Sequence, residues 1–174
     1  IELLDDIHEL DFLIIRNDMQ NLKAALKSII SQHKTEDFDE LFVVPTVYNT
    51  DEIVKAVDER KFNELPECMQ ATAAEVYEIL TSNGNGQLAD AVIDRATLDI
   101  ILKWGYRTKS QTLINIVEKT VATADIKIAL RALKTGKDVA FLERSLAECK
   151  TISKKELISA VSEGRDAVLT YISN

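Results

Sequence analysis

The sequence predicts an all-α protein, and three observations support that prediction. Apolar residues recur at three- and four-residue steps along most of the 174-residue chain. Five glycines and two prolines are few, so turns are scarce and long helices are favoured. The one short apolar run that could form a strand, residues 41–44, precedes Pro45 and has no second candidate strand to pair with. We therefore expect an extended, buried linker there.

The helices follow in chain order from this periodicity and from residues that begin or end helices. Asn49 is a favoured N-cap, and Pro66 suits a first turn. Gly105 and Gly136 are expected to end the helices before them. Residues 82–86, Ser-Asn-Gly-Asn-Gly, are the strongest breaker and should form an exposed helical-hairpin tip. The predicted helices span residues 2–30, 49–59, 66–81, 87–105, 109–135, 139–149, 153–161 and 165–172, with a polar loop over 31–40.

Part of the sequence recurs, which predicts a duplicated helical unit of roughly 105 residues. Asp18 aligns with Asp125 at an offset of 107, and the Ala-Leu-Lys run seven residues later is common to both copies. A second match pairs residues 49–57 with residues 153–161 at an offset of 104. Both of its copies begin with an N-cap residue followed three positions later by glutamate, as in a capping box.

The recurrence suggests a division of the chain into parts of three units. Residues 1–38 complete a first helical unit, residues 39–137 form a second, and residues 138–174 begin a third that is truncated. Ile1 is not an initiator methionine, so we expect the chain to be a fragment or a processed form.

Two aspartates and one arginine interrupt apolar helix faces. Asp18 shares a face with Leu22, and Asp125 shares one with Ala129, where an unpaired carboxylate would be costly to bury. Arg131 interrupts the apolar face of the helix that carries Asp125, at the opposite edge of that face. One interpretation is a structural ion pair, or a carboxylate bonded to a neighbouring helix end. The other is that these charges line a wet groove or an interface.

The charge of −8 is unevenly distributed. Residues 1–48 and residues 49–104 each have a net charge of −6, whereas residues 105–174 have +4. An acidic protein argues against a nucleic-acid partner, because phosphate binding needs a basic face. The asymmetry either lets unlike ends dock onto partners of opposite sign or is uneven solvated surface. No apolar run approaches the roughly 20 residues that span a bilayer, so membrane association would require another protein or a surface.

The sequence offers no pattern typical of catalysis or of cofactor binding. Asp5 and His8 have the spacing of half a carboxylate-bridged di-metal site, but no second copy exists, so no metal is predicted. His33 is the other histidine. Cys68 and Cys149 lack CxxC spacing and indicate small buried residues in a reducing compartment. We therefore predict neither a cofactor nor an enzyme.

Two segments carry a resemblance to a known family. The earlier one reads Asp18-x-x-Asn21-Leu22-Lys23-x-x-Leu26-Lys27, and the later one runs from Asp125 to Lys137 and is followed by Phe141-Leu142. Both resemble the C-type subunits (d-type in eukaryotic complexes) of vacuolar-type and archaeal-type rotary ATPases, and the later segment is similar to bacterial members of that family. Where many members repeat an asparagine, this chain has Ile128. The similarity covers most of the chain.

The resemblance implies a non-catalytic subunit built from three related helical units arranged as a funnel. The funnel sits on the membrane-embedded proteolipid ring and receives the tip of the central shaft, so that torque passes between ATP turnover and ion transport. The protein would be cytoplasmic and peripheral to the membrane through the ATPase complex. Family members are longer, so the chain is expected to lack an N-terminal and a C-terminal portion.

A torque-bearing coupler must be stiff, and buried ties between helices resist shear if their charges are satisfied. We expect Asp18, Asp125 and Arg131 to be such ties. The alternatives are an unrelated helical scaffold that binds a partner helix in a groove, and a small helical enzyme whose site forms from scattered residues. The structural or interface candidates are Asp18, Asn21, Lys23, Asp125, Arg131 and Lys134.

Overall fold

The computed structural model describes residues 11–31 and 42–173, and every regular element in those ranges is a helix. This confirms the all-α prediction. A single 3₁₀ turn, Phe62–Glu64, lies between the second and third helices. The helices are α1 (Asp11–Ser31), α2 (Thr50–Asp58), α3 (Glu67–Asn83), α4 (Gly86–Arg107), α5 (Gln111–Thr135), α6 (Val139–Ser145), α7 (Lys154–Glu163) and α8 (Arg165–Ser173). None of the helices in the described ranges is both long and apolar enough to cross a membrane.

Most helix boundaries agree with the prediction. The α3–α4 hairpin tip is confirmed, since the helices are separated only by exposed Gly84 and Asn85. The α5 helix ends at Gly136, whose φ of 66° is the left-handed conformation that glycine adopts readily. Residues 2–10 of the first predicted helix, and residues 32–40 of the predicted loop, lie outside the described residues.

The prediction that Gly105 ends the fourth helix is wrong, because α4 continues through it to Arg107. A Cβ atom at Gly105 would lie 2.5 and 2.8 Å from the two Cγ atoms of Val117 on α5. Glycine is therefore present for the close approach of the end of α4 to α5.

The predicted helix over residues 139–149 is also too long, since α6 ends at Ser145. Residues 146–153, here called the second linker, lead to α7 without forming a helix. Three amides of this linker donate to carboxylates on α5. An amide engaged in this way cannot donate to the carbonyl four residues earlier, so the helix stops.

The first linker, residues 42–49, precedes α2 and contains neither helix nor strand. The expectation that this segment is buried is wrong, because 76% of Val44 and 41% of Val43 are exposed. The reason is that the linker directs backbone groups towards polar side chains of α1, which leaves these apolar side chains outside.

The chain forms two compact units that divide inside α4, between Ile100 and Ile101. In the first unit, α1 packs against α2 and α3 around buried Ile15, Leu22, Leu26, Ile53 and Met69. In the second unit, α5 packs against α6, α7 and α8 around buried Ala129, Leu142, Leu146, Leu157 and Val168. The repeat boundaries at 38/39 and 137/138 concern sequence recurrence and stay predictions.

Candidate functional site

Asp18 on α1 is fully buried and holds the end of the first linker. Its Oδ2 atom accepts from the Val47 amide at 3.0 Å, and its Oδ1 atom accepts from the Tyr48 amide at 2.9 Å. These amides lie immediately before the N-cap of α2. A buried carboxylate that accepts two backbone hydrogen bonds satisfies donors that would otherwise be orphaned. Asp18 therefore anchors backbone near a helix start.

Asn21, one turn along α1, holds the beginning of the same linker. Its Oδ1 atom accepts from the Val43 amide at 2.8 Å, and its Nδ2 atom donates to the Val43 carbonyl at 3.1 Å. The same Nδ2 atom lies 3.4 Å from the Thr50 hydroxyl. Asn17 donates to the Pro45 carbonyl at 2.8 Å. The polar face of α1 thus holds the first linker along its length.

Asp125 on α5 is 1% exposed, as its predicted place on an apolar face requires. Its Oδ1 atom accepts from the Ala147 amide at 3.1 Å, two residues beyond the end of α6. Asp125 is therefore a second carboxylate anchor, and it holds the beginning of the second linker.

Glu118, which is only 7% exposed, accepts four hydrogen bonds, three of them from the end of the second linker. Its Oε2 atom accepts from the Lys150 amide at 2.9 Å, the Thr151 amide at 2.9 Å and the Thr151 hydroxyl at 2.8 Å. Its Oε1 atom accepts from the Tyr106 hydroxyl. The Lys150 ammonium lies 4.7 Å from the centre of the Tyr106 ring, close enough for a cation–π contact.

The carboxylates of Asp18 and Glu118 differ in the direction of their pKa shifts. Burial raises the pKa of Asp18, and the amides of Val47 and Tyr48 oppose that shift without cancelling it. Burial also acts to raise the pKa of Glu118, but the hydrogen bonds from Tyr106, Thr151 and Lys150 together hold it below its ordinary value. The bond to Glu118, assisted by burial, raises the pKa of Tyr106 to about 12.

These contacts recur with a constant offset. The Val43 amide bonds to Asn21, and the Ala147 amide bonds to Asp125. The donor and the acceptor of the second bond each lie 104 residues after those of the first. The predicted N-caps Asn49 and Ser153 are separated by the same 104 residues. Asp125 therefore corresponds in its bonding to Asn21, and the alignment of Asp18 with Asp125 is not the one that the hydrogen bonds follow.

Asp18 has its own counterpart in Glu118. Each accepts from two successive amides near the end of a linker, Val47 and Tyr48 in one case and Lys150 and Thr151 in the other. At the 104-residue offset the position equivalent to Asp18 is residue 122, and Glu118 lies four residues, about one turn, before it.

Both predicted N-caps are confirmed. Asn49 accepts from the amides of Asp51 and Glu52, and Ser153 accepts from the amide of Glu156 at 3.3 Å. The amide of Ser153 itself donates to the Tyr171 hydroxyl on α8 at 2.8 Å. Each linker is therefore fixed by a buried acid on a long helix and ends in a cap that starts the next helix.

Lys23 is a structural tie within the first unit. Its ammonium lies 2.6 Å from the Asp94 carboxylate and 3.9 Å from that of Asp90, both on α4. Lys27, one turn further along α1, lies 2.7 Å from Asp90. The four charges form a network that joins α1 to α4.

Arg131 and Lys134 are exposed on α5, so the expectation that Arg131 is a buried tie is wrong. An α-helix rotates about 20° out of register per seven residues, and Arg131 lies two such steps beyond buried Val117. That drift brings its side chain to the surface. An interface role for Arg131 and Lys134 stays a prediction.

Sequence reasoning missed Glu118. A signal was available, because Glu118 precedes Asp125 by seven residues and interrupts the same apolar face, between buried Val117 and Val121. Cys68 and Cys149, expected to be buried, are half-buried. Asp5 and His8, whose spacing is that of half a di-metal site, and the other histidine, His33, lie outside the described residues.

The sequence as a whole was compared with known proteins. Residues 2–174 match the model of the family described as ATP synthase (C/AC39) subunit. No curated protein and no solved structure matched the chain in the corresponding comparisons. The family match covers nearly every residue, confirms the resemblance and removes the alternative of an unrelated scaffold. The chain therefore belongs to the ATP synthase (C/AC39) subunit family, a family of rotary ATPase subunits.

Proposed function

We propose that this protein is a non-catalytic central-stalk subunit of a V-type or A-type ATP synthase. It links the rotor shaft to the membrane proteolipid ring and transmits torque that couples ATP turnover to ion transport. Family membership supports the assembly. The observation within the chain that best supports the mechanical role is the pair of linkers held by buried carboxylates on α1 and α5. The protein would be cytoplasmic and peripheral to the membrane through the complex.

The carboxylate anchors suit a part that must not yield under load. A connection between helices is ordinarily the compliant part of a helical protein, because its backbone lacks the internal bonds of a helix. Here each linker is bonded at both ends to a long helix. Hydrogen bonds to a charged acceptor are roughly twice as strong as neutral ones. Displacement of either linker would therefore leave a buried carboxylate unsatisfied.

The same geometry supports a non-catalytic role for these acids. A general acid or base needs a free oxygen within reach of substrate. Both oxygens of Asp18 accept from backbone amides, and both oxygens of Glu118 are engaged by Tyr106, Lys150 and Thr151. These groups are committed to holding backbone.

Reconstitution tests the proposal. The rotary ATPase is stripped of this subunit, and ATP hydrolysis and ATP-driven ion transport are measured before and after the purified protein is returned. We expect the stripped enzyme to hydrolyse ATP without transporting ions, and transport to recover when the protein rebinds. Ion transport at an unchanged rate in the stripped enzyme would contradict the coupling role.

A further inference from the structure

The longest helix, α5, separates its charges by sign. Its only two acidic residues, Glu118 and Asp125, are buried and bonded to the second linker. Its basic residues are all exposed. The surface of this helix therefore carries positive charge alone. We call its four basic side chains the α5 ridge: Lys119, Lys127, Arg131 and Lys134.

The α5 ridge is a continuous strip. At 1.5 Å per residue its ends are roughly 22 Å apart along the helix axis, and at 100° per residue its members lie within a sector of about 120°. Exposed Thr123 lies between the first two members, and Ile116, 47% exposed, lies one turn before Lys119. The strip thus offers cations along its length and an apolar contact near one end.

The charges of the α5 ridge are not neutralised within the part of the chain that the structure describes. None of its members pairs there with a carboxylate, whereas Lys23 and Lys27 on α1 are paired with carboxylates on α4. The second unit also contains a paired lysine, Lys154, whose ammonium lies 4.0 Å from the Glu143 carboxylate, but this residue is not part of the α5 ridge. The described residues therefore leave the cations of the α5 ridge open to a partner of opposite charge.

The net charge of the chain indicates which kind of acidic partner can approach the α5 ridge. The chain as a whole carries −8, so an extended polyanion such as duplex DNA or an anionic bilayer meets net repulsion. A short acidic segment senses mainly charges within a Debye length, about 8 Å at physiological salt. We propose that the α5 ridge docks a short acidic segment of a neighbouring subunit. This inference rests on the proposed function only in requiring that the protein works within an assembly.

Charge reversal tests the docking surface. K127E/R131E inverts the middle of the α5 ridge, and K155E/R165E makes the same charge change at exposed residues of α7 and α8. Binding of each protein to the rotary ATPase stripped of this subunit is measured at low and at high sodium chloride. We expect K127E/R131E to bind about tenfold more weakly at low salt. It should also lose most of the salt dependence of binding, because exposed charges at an interface act mainly through electrostatic attraction that salt screens. K155E/R165E should bind like the wild type.

Further arms separate the outcomes. K127A/R131A removes the charges without introducing repulsion, favours the helix and should give an intermediate loss of affinity. Circular dichroism melting verifies that each variant is folded.

If the wild type fails to rebind, the proposed function is wrong. If it rebinds and both ridge variants bind equally well, only the docking surface is wrong. Capture of the wild type, but not of K127E/R131E, by phosphatidylglycerol vesicles would overturn the protein partner in favour of a membrane surface.

Discussion

Asp18 and Glu118 perform the same structural task, but their contributions to stability depend on pH with opposite sign. The folded pKa of Asp18 lies above its ordinary value of 3.8, because burial outweighs two amide bonds. Its contribution is therefore complete below pH 3.8 and is lost as pH rises through the raised pKa. The folded pKa of Glu118 lies below its ordinary value of 4.5, because its hydrogen bonds outweigh burial. Its contribution is present above pH 4.5 and is lost as pH falls through the lowered pKa.

We predict opposite pH trends for the two neutral variants, Asp18→Asn and Glu118→Gln. Urea unfolding across the acid range measures the free energy of unfolding of each variant and of the wild type. Relative to Asp18→Asn, the wild type should lose stability as pH rises above 3.8. Relative to Glu118→Gln, it should lose stability as pH falls below 4.5. Trends of the same sign would contradict the assignment of burial to one residue and of hydrogen bonding to the other.

At the scale of the element, the contact between α4 and α5 depends on the absence of one side chain. We predict that Gly105→Ala lowers the free energy of unfolding by about 1–3 kcal/mol, since its Cβ would overlap Val117 and the cost of overpacking exceeds the gain in helix propensity. Chemical denaturation measures the change. Gly86→Ala is the matched control, because no atom lies within 4 Å of its added Cβ. That variant should gain about 0.5 kcal/mol. Equal effects at both positions would refute the close contact.

The helices themselves could largely be predicted from the sequence, because periodicity, caps and breakers are local. Asn49, Ser153 and Gly136 fix helix ends through their own conformations and neighbouring amides. The end of α6 could not be predicted in this way. Leu146 and Ala147 continue an apolar helical pattern, and the carboxylate that captures the Ala147 amide lies 22 residues earlier in the chain.

The candidate site could be predicted in part. Burial of Asp18 and Asp125 follows from their places on apolar faces, but their partners are brought to them by the fold. The expectation that Arg131 is buried fails because seven residues are not a whole number of helical turns. Over the 14 residues from Val117 the mismatch rotates its side chain to the surface. Glu118 shows that a glutamate on an apolar face can be as firmly engaged as an aspartate.

At the scale of the whole molecule, the two linkers use one plan. A buried acid or amide on a long helix holds the backbone ahead of the next capped helix, in each unit separately. The two linkers correspond more closely in these bonds than in residue identity, since Asn21 holds the beginning of the first linker and Asp125 the beginning of the second. We therefore expect the connections of this protein, as well as its helices, to resist displacement.

Amide hydrogen exchange, followed residue by residue, tests these anchors most directly. The amides of Val47, Tyr48, Lys150 and Thr151 lie outside helices, yet the account predicts that they exchange as slowly as amides inside α1 and α5. Glu118→Ala should accelerate Lys150 and Thr151 by about 10–100-fold and leave Val47 and Tyr48 unchanged.

Glu148→Ala provides the control for this measurement, because Glu148 is an exposed acid of the same linker. It should change none of these rates. Rapid exchange of the four amides in the wild type, or an equal response to Glu118→Ala and Glu148→Ala, would contradict the claim that buried carboxylates hold the linkers in place.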